Sequence, residues 1–347
     1  MKYPPLFGSL VGTFVLVACG GDASPGIPAA SESGTNTAGE LPGPDGSGSA
    51  ATAADGGGES VDAGSVTPRK DVRFIAVGDT GTGTNDQKKV GNAMAAVCKA
   101  RGCDFVQLLG DNVYESGVDG IDDPLWQETF EIPYVAVEAD FFAVLGNHDY
   151  GHLGAGTDFG RGKHQIAYTA KSTKWKMPAA FYRHSLPGLE IFALDTNMQM
   201  FGRDAQQRID VSAWIAGSTA PWKIAVGHHP YKSNGSHGNA GRYDGLFIRP
   251  YDGEGVKEFL DEVVCGQVDV YLSGHDHSRQ WLNESCKGTE LAVSGAGAKA
   301  TSLEGTNPAL FQSLELGFLY IVVEGRKLVA EFIDDSGNVE FSHTITK

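Results

Sequence analysis

Residues 74–83 read FIAVGDTGTG, an apolar run of strand length followed by a glycine and Asp79. Similar runs recur in VRFIAVGD, DFVQLLGD, DFFAVLGNHD, EIFALDT, WKIAVGHH, VDVYLSGHDH and ELAVSGAG. Near-continuous Val, Ile, Leu and Phe runs are typical of strands buried on both faces. Helical patterns lie between them at residues 85–101, 123–132, 205–217 and 254–265. This alternation predicts an α/β layered fold.

The C-terminal stretch LGFLYIVVEGRKLVAEFIDDSGNVEFSHTIT predicts antiparallel strands joined by glycine-containing turns. We therefore expect two packed mixed sheets flanked by helices. Ligands of α/β sheets collect at the carboxyl ends of strands, and a glycine there lets the chain turn sharply. The polar residues at these ends are Asp79, Asp111, Asn147, His148, His228, His275 and His277.

The first 68 residues predict export rather than a folded domain. Residues 1–19 combine a lysine, a short apolar run and Leu16-Val17-Ala18-Cys19, typical of a lipoprotein signal peptide with a lipobox ending at Cys19. A plain secretory signal is the alternative. Residues 20–68, rich in Gly, Ala, Ser and Pro, predict a disordered tether. We expect a catalytic domain over residues 69–347, outside the cytoplasm and lipid-anchored to the bacterial outer membrane or cell surface.

Charge and cysteine content restrict the possible partners and compartment. The chain carries a formal net charge of −16, which argues against binding nucleic acid through its backbone. In AVCKARGCDF, Gly102 is expected just past a helix end, where a Schellman closure brings Cys98 against Cys103. A second disulfide, Cys265–Cys286, then follows by elimination, although buried free thiols stay open. The spacings do not resemble a structural zinc site.

Asp79 stands in an Asp-Thr-Gly triplet, which is compatible with three kinds of site: an aspartic protease dyad, a phosphate-binding loop or a metal site. An aspartic protease needs a second such triplet, and the candidate at Asp335 lies in a turn between two predicted strands. A phosphate loop needs Lys-Ser/Thr, or a helix that begins at G-x-G-x-x-G, and GDTGTGTND has neither. A metal site uses all the polar strand ends, so the sequence favours it.

Five motifs, GDTG, GDNVY, GNHD, GHHP and GHDH, occur in an order that resembles the purple acid phosphatases of the calcineurin-like metallophosphoesterases. The small, tartrate-resistant type is the most similar, since WQETFE, KWKMPAAFYR, ALDT and VSGAG also resemble it. The resemblance covers roughly residues 71–300. It implies a four-layer αββα sandwich and acid phosphatase activity on phosphate monoesters.

The resemblance also implies a dinuclear Fe(III)–M(II) centre. The ferric ion would be bound by Asp79, Asp111, Tyr114 and His277. The divalent ion, Fe, Zn or Mn, would be bound by Asp111, Asn147, His228 and His275. These ligand types suit the charges, because a trivalent ion favours anionic oxygens. Gly81 stands where most calcineurin-like enzymes have a histidine, so a Tyr114 phenolate is expected to complete the ferric site and give a purple or pink colour.

Two histidines resemble the catalytic residues of the family. His148 would protonate the leaving alkoxide, with Asp149 holding its other ring nitrogen. His237 would bind phosphate on the substrate side and assist. His229 is expected in the pocket wall, and four further histidines are expected outside the site: His152, His164, His184 and His343.

The mechanism implied by the resemblance is attack of a metal-bound hydroxide on phosphorus, with an acidic pH optimum. Expected substrates are phosphorylated small molecules or phosphoproteins, and a monomer is expected. Residues 238–253 look expanded relative to the family that the sequence resembles. Arg242 and Tyr243 in this segment either shape specificity or belong to a solvated loop. A phosphodiesterase or nucleotidase with two divalent metals on the same scaffold stays open.

Overall fold

The computed structural model describes residues 71–347, so the predicted signal peptide and tether lie outside the described residues. In chain order the strands are β1 (Val72–Val77), β2 (Phe105–Leu108), β3 (Asp140–Ala143), β4 (Trp175–Lys176), β5 (Tyr182–Leu186), β6 (Leu189–Ala193), β7 (Trp222–Val226), β8 (Val270–Ser273), β9 (Arg279–Leu282), β10 (Glu290–Ser294), β11 (Ala309–Ser313), β12 (Gly317–Glu324), β13 (Lys327–Asp334) and β14 (Val339–Thr346). The α-helices are α1 (Asn85–Arg101), α2 (Lys163–Tyr168), α3 (Thr196–Met200), α4 (Ala205–Gly217) and α5 (Glu254–Phe259). Single π-helical turns lie at Gln127–Glu131 and Leu260–Val264.

The strands form two seven-stranded mixed sheets. The first has the order β14-β13-β12-β1-β2-β3-β4, with β1 to β4 parallel. The second has the order β11-β9-β10-β8-β7-β6-β5, with β6, β7, β8 and β10 parallel. Strands β12, β13 and β14 form the predicted antiparallel meander. Every strand predicted from an apolar run is therefore confirmed.

The second sheet separates two apolar cores. On β6, Ile191 belongs to the core shared with the first sheet, whereas Phe192 belongs to a core that includes Val211 of α4 and Phe259 of α5. Neighbouring side chains on a strand point to opposite faces, so one strand serves both cores. The predicted arrangement of two mixed sheets flanked by helices is confirmed.

Helix α1 has the predicted bounds, and a disulfide links its last turn to the segment that leads into β2. The side chain of Thr84 caps its first turn, and Gly102 donates its N–H to the Cys98 carbonyl at 2.8 Å. The predicted Schellman closure is wrong, because Gly102 has φ 84° and ψ 144° and so is not left-handed helical. The Cys98–Cys103 disulfide nevertheless forms, with Cα atoms 4.9 Å apart, and Cys265–Cys286 is the second bridge. No helix within residues 71–347 is long and apolar enough to cross a membrane.

Candidate metal centre

The polar residues predicted at strand ends lie together where the two sheets meet. Asp79 and Asp111 follow the parallel strands β1 and β2, while His228 and His275 follow β7 and β8. A hydrogen bond joins the two sheets at this edge, because the backbone N–H of His275 donates to Asp79 Oδ2 at 2.9 Å. Donor atoms of Asp79, Asp111 and His228 all lie within 4.8 Å of one another.

The backbone turns at the polar residues themselves. Asp79, Asp111 and His275 have positive φ angles of 59°, 52° and 68°, which side chains other than glycine rarely adopt and which concentrate at functional sites. Gly146 and Gly274 have no positive φ, and glycine is needed there because a side chain would collide with a neighbouring carboxylate. A Cβ there would lie 2.2 Å from Asp111 Oδ1 and 2.5 Å from Asp79 Oδ2, respectively. Gly110, with φ 90°, makes the turn as predicted, whereas at Gly146 and Gly274 the prediction is corrected.

One cluster of donor atoms contains Asp79, Tyr114 and His277. The Tyr114 hydroxyl lies 3.2 Å from Asp79 Oδ1 and 3.3 Å from His277 Nε2. His277 Nε2 lies 3.5 Å from Asp79 Oδ1. Three groups from distant parts of the chain thus point at one place, with all three side chains buried or nearly so.

A second cluster surrounds His228 Nε2. That atom lies 2.9 Å from Asn147 Oδ1, 3.1 Å from His275 Nδ1 and 3.4 Å from Asp111 Oδ1. Asp111 also lies beside the first cluster, because one of its oxygens is within 4.8 Å of an Asp79 oxygen. Its carboxylate is therefore the group that the two clusters share.

The second cluster fits a cation because acceptor atoms face one another in it. His228 Nδ1 lies 2.9 Å from the Leu109 carbonyl, so in the neutral ring the proton sits on Nδ1 and Nε2 carries a lone pair. Asn147 donates its Nδ2 to the Gly154 carbonyl at 2.8 Å, which turns Oδ1 toward His228. A lone pair 2.9 Å from a carbonyl oxygen is unfavourable without a cation between them.

Ionisation of the shared groups follows from burial and charge. Burial opposes ionisation of Asp111, but the charges of His228 and His148 in their protonated forms, together with the His148 backbone N–H, outweigh it and lower the pKa of this carboxyl. Burial, and then the carboxylates of Asp111 and Asp79, raise the pKa of Tyr114 well above 10. A phenolate at Tyr114 therefore requires a strong cation next to its oxygen.

Asp149 does not hold His148, so that prediction is wrong. His148 Nδ1 instead lies 2.8 Å from the Glu115 carbonyl. The Asp149 carboxylate accepts backbone N–H groups of Asn112, Val113 and Gly146 at 2.8–3.1 Å. It therefore fixes the loops that carry the predicted metal ligands rather than the predicted acid.

The two predicted catalytic histidines contact different clusters. The His148 ring packs against Tyr114 with centroids 4.5 Å apart, and its Nε2 lies 4.0 Å from Asp111 Oδ2. The His237 ring stacks on His275 at 4.1 Å, and its Nδ1 lies 2.8 Å from Asp244 Oδ1. The Asp244 partner was missed, and no motif signals it.

A lysine next to Tyr114 was also missed. Lys299 Nζ lies 3.6 Å from the centroid of the Tyr114 ring, and it makes no ion pair within residues 71–347. It follows the strand β10 in VSGAGAK, a stretch noted only for its resemblance. His229 lies in the pocket wall as predicted, fully buried, with its Nδ1 2.8 Å from Thr196 Oγ1.

The protease interpretation finds no support in the geometry. Asp335 lies in the turn between β13 and β14, where its carboxylate pairs with Lys89 Nζ at 2.8 Å. Asp79 is fully buried among the donors of the first cluster. An aspartic dyad needs two carboxylates that share one proton, which these partners exclude.

A two-sheet sandwich with carboxylate, amide, phenol and imidazole donors at its strand ends defines the class of metallophosphoesterases. The family model described as calcineurin-like phosphoesterase matches residues 72–279. Tartrate-resistant acid phosphatase type 5 of Sus scrofa is 31% identical over 263 residues, which are 67% of this chain and 71% of the relative. The chain belongs to the calcineurin-like phosphoesterases and, among them, to the purple and tartrate-resistant acid phosphatases. It is an acid phosphatase, a phosphoric monoester hydrolase.

Other relatives agree with this placement, and one solved structure shares the fold. Tartrate-resistant acid phosphatase type 5 of Homo sapiens is 29% identical over 78% of this chain and 89% of its own length. Purple acid phosphatase 3 of Arabidopsis thaliana is 26% identical over 77% and 76%, respectively. The structure of GAP50, the anchor in the inner membrane complex of Plasmodium, has a TM-score of 0.64 and 21% identity, and covers 80% of this chain and 89% of that one. At that identity the likeness shows the fold alone.

Proposed function

We propose that this acid phosphatase works with a dinuclear Fe(III)–M(II) centre. The observation that carries the proposal is the pair of donor clusters joined by Asp111. Asp79, Tyr114 and His277 would hold the ferric ion with Asp111, because two carboxylates and a phenolate suit a trivalent cation. Asn147, His228 and His275 would hold the divalent Fe, Zn or Mn ion with the same carboxylate. Such a pair, when bound, supplies Lewis acidity that neutralises phosphate charge and lowers the pKa of water.

The chain's own residues would position the substrate and move the proton. His148 donates from Nδ1 to the Glu115 carbonyl, so its Nε2 is the atom left to protonate a leaving oxygen. His237 is held by Asp244 at Nδ1, which leaves its Nε2 to bind phosphate at the cavity that His237 lines. Asp149, with its backbone donors, keeps the loops of Asp111 and Asn147 in place.

Substrate and location belong to the proposal as well. Phosphorylated small molecules or phosphoproteins are the proposed substrates, and the enzyme is proposed to act outside the cytoplasm as a monomer. Two disulfides support an oxidising compartment. The proposed lipid anchor at Cys19 can be tested with Cys19→Ser, which should move the activity from the membrane fraction to the soluble fraction of fractionated cells.

The centre itself is tested by elemental analysis and visible absorption of natively expressed enzyme. We expect one iron and one divalent ion per chain, together with a phenolate-to-iron charge-transfer band. Tyr114→Phe should abolish the band. Tyr134→Phe, at a buried tyrosine that hydrogen bonds to Gln87, is the matched control and should keep it.

Two results would overturn the proposal. Two divalent ions without iron would favour the phosphodiesterase or nucleotidase alternative, which assays on bis-(p-nitrophenyl) phosphate and AMP would then identify. A Tyr114→Phe variant that keeps its colour would remove Tyr114 from the centre.

A further inference from the structure

A cavity of about 180 Å³ opens beside the proposed divalent site. Its inner end is formed by Asn147, His275 and His237, which belong to the centre and to the predicted catalytic pair. Gly154 also lines the cavity, and a Cβ on it would lie 2.6 Å from Nε2 of His148, the proposed acid. A leaving group that His148 protonates therefore has this cavity beside it.

The outer wall of the cavity is apolar. Ala155, Met200, Leu246 and Tyr251 line it, and more of its lining surface is apolar than polar. Leu246 and Tyr251 come from the loop that the sequence marked as expanded. Tyr243 of the same loop also lines the cavity, whereas Arg242 stacks over the exposed ring of Phe247 at 4.6 Å and does not.

Several contacts hold this wall in place without a ligand. Tyr243 is buried, and its hydroxyl donates to the Pro230 carbonyl. Arg249 pairs with Glu258 at 2.5 Å. The Tyr251 ring packs edge-on against Phe201 at 5.6 Å. The wall is thus preorganised, which lowers the cost of binding.

Size and charge restrict what the cavity can bind. An engineered apolar cavity of about 150 Å³ in another protein holds benzene, so 180 Å³ has room for one ring. Within residues 71–347 no Lys or Arg lines the cavity, and Asp244 does. A further anionic group on the leaving group would therefore meet no Lys or Arg side chain and one carboxylate, that of Asp244 beside His237.

We propose that this cavity binds the leaving group of the substrate and selects a single ring that is uncharged or cationic. The inference rests on the proposed function, because it assumes that phosphate binds at the donor clusters. It names a narrower substrate class than phosphate monoesters in general. Compact ring-bearing monoesters are favoured, and nucleoside polyphosphates, whose extra phosphates are anionic, are disfavoured.

The test compares substrates whose leaving alcohols are chemically alike. Benzyl phosphate and ethyl phosphate both release primary alcohols, so their kcat/KM ratio reports mainly on binding of the ring. We expect benzyl phosphate to be favoured at least about tenfold, as an apolar pocket allows. 4-(Aminomethyl)benzyl phosphate should react about as well as benzyl phosphate, and 4-carboxybenzyl phosphate several-fold less well.

The same loop provides the variant and its control. The double variant Leu246→Ser/Tyr251→Ser should lower the benzyl-to-ethyl ratio at least about fivefold. Phe247→Ser/Ile248→Ser removes two side chains that are each 72% exposed and do not line the cavity, so the ratio should stay unchanged. Thermal unfolding of both variants checks that the loop remains folded.

The outcomes separate this inference from the proposed function. Equal kcat/KM values for benzyl and ethyl phosphate would overturn the leaving-group inference, and so would a preference for 4-carboxybenzyl phosphate over benzyl phosphate. Neither result would affect the proposed metal centre. An equal fall in the ratio in both double variants assigns the preference to the exposed surface and also overturns it. An enzyme with neither iron nor activity on either ester overturns the proposed function.

Discussion

Gly154 sets the position of His148. It has φ 87°, and a Cβ there would lie 2.6 Å from His148 Nε2, the atom proposed to protonate the leaving group. Its carbonyl also accepts the Asn147 amide. Gly154→Ala should therefore lower kcat by roughly ten- to a hundredfold, because misplacing a catalytic group by about 1 Å costs that much. Steady-state kinetics on p-nitrophenyl phosphate would measure it.

Gly188→Ala is the matched control for that variant. Gly188 has φ 80° and no atom within 4 Å of its would-be Cβ, so alanine brings the same backbone strain without a steric contact. Both variants should lose about 1–2 kcal/mol of stability, the cost of a left-handed backbone for a residue with a Cβ, but only Gly154→Ala should lose activity. Equal kinetic effects would show that strain, and not the contact with His148, is responsible.

Lys299 should tune the colour of the enzyme. An ammonium 3.6 Å from the Tyr114 ring centroid lowers the energy of the phenolate electrons, so charge transfer to iron takes more energy. Lys299→Met should move the band to longer wavelength, by on the order of 10 nm if the contact contributes about 1 kcal/mol. The exposed Lys99→Met on α1 is the control. A band that stays in place in Lys299→Met would contradict the argument.

Single residues differ in how far the sequence could predict them. Asp79 and His228 were predictable as candidates because each ends an apolar strand, and parallel strands bring such ends to one edge. The contacts of His237 with Asp244 and of Lys299 with Tyr114 were not, because each depends on the path of a loop. Asp149 was assigned the wrong partner, since adjacency to His148 in the chain does not fix the direction of a side chain.

At the scale of elements, β5 carries a histidine that should weaken the fold in acid. His184 stacks on Phe142 at 4.1 Å and lies edge-on to Phe105, both from the first sheet. Burial alone lowers the pKa of His184 to about 4, against about 6.5 in an unfolded chain. Between these values the unfolded chain binds more protons, so stability is complete above pH 6.5 and declines as the pH falls toward 4.

His184→Phe should remove this loss of stability. Relative to wild type, the variant should gain about 1–2 kcal/mol at pH 5 that it does not gain at pH 7.5, an estimate reduced because the ring is partly exposed. Denaturant unfolding at both pH values measures the difference, and the pH 7.5 experiment is the internal control. Equal shifts at both pH values would mean that the imidazole stays neutral in the unfolded state or charged in the fold.

Long apolar elements were predictable and short polar ones were not. Helices α1 and α4 have the predicted bounds, because caps and periodicity mark them. Strands β4, β5, β9 and β11 were missed. Strand β4 has two residues, and β5 and β11 mix polar with apolar residues. Strand β9, Arg279–Leu282, begins with Arg and Gln yet is buried, and Arg279 donates to the Glu315 carbonyl. A strand can be buried through the hydrogen bonds of a charged residue, and such a strand has no apolar run by which the sequence could reveal it.

At the scale of the whole molecule, the proposed centre joins the two sheets. Asp79, Asp111 and Asn147 follow strands of the first sheet, and His228 and His275 follow strands of the second. Without a cation, His228 Nε2 and Asn147 Oδ1 remain buried and opposed, and each unsatisfied buried group costs about 1–3 kcal/mol. The metal-free fold should therefore be weakest at this junction.

Removal of metal should lower the melting temperature of the whole domain. Ions that bind only the folded state stabilise it by about 4 kcal/mol at a thousandfold excess over Kd, which corresponds to roughly 8–16 °C for a domain of this size. Calorimetry before and after dialysis against a chelator, and again after iron and zinc are restored, measures the change. Asp111→Ala lacks the shared carboxylate and should melt at nearly the same temperature with and without chelator. If the wild type is equally indifferent to the chelator, the strand ends do not bind metal in a way that links the sheets.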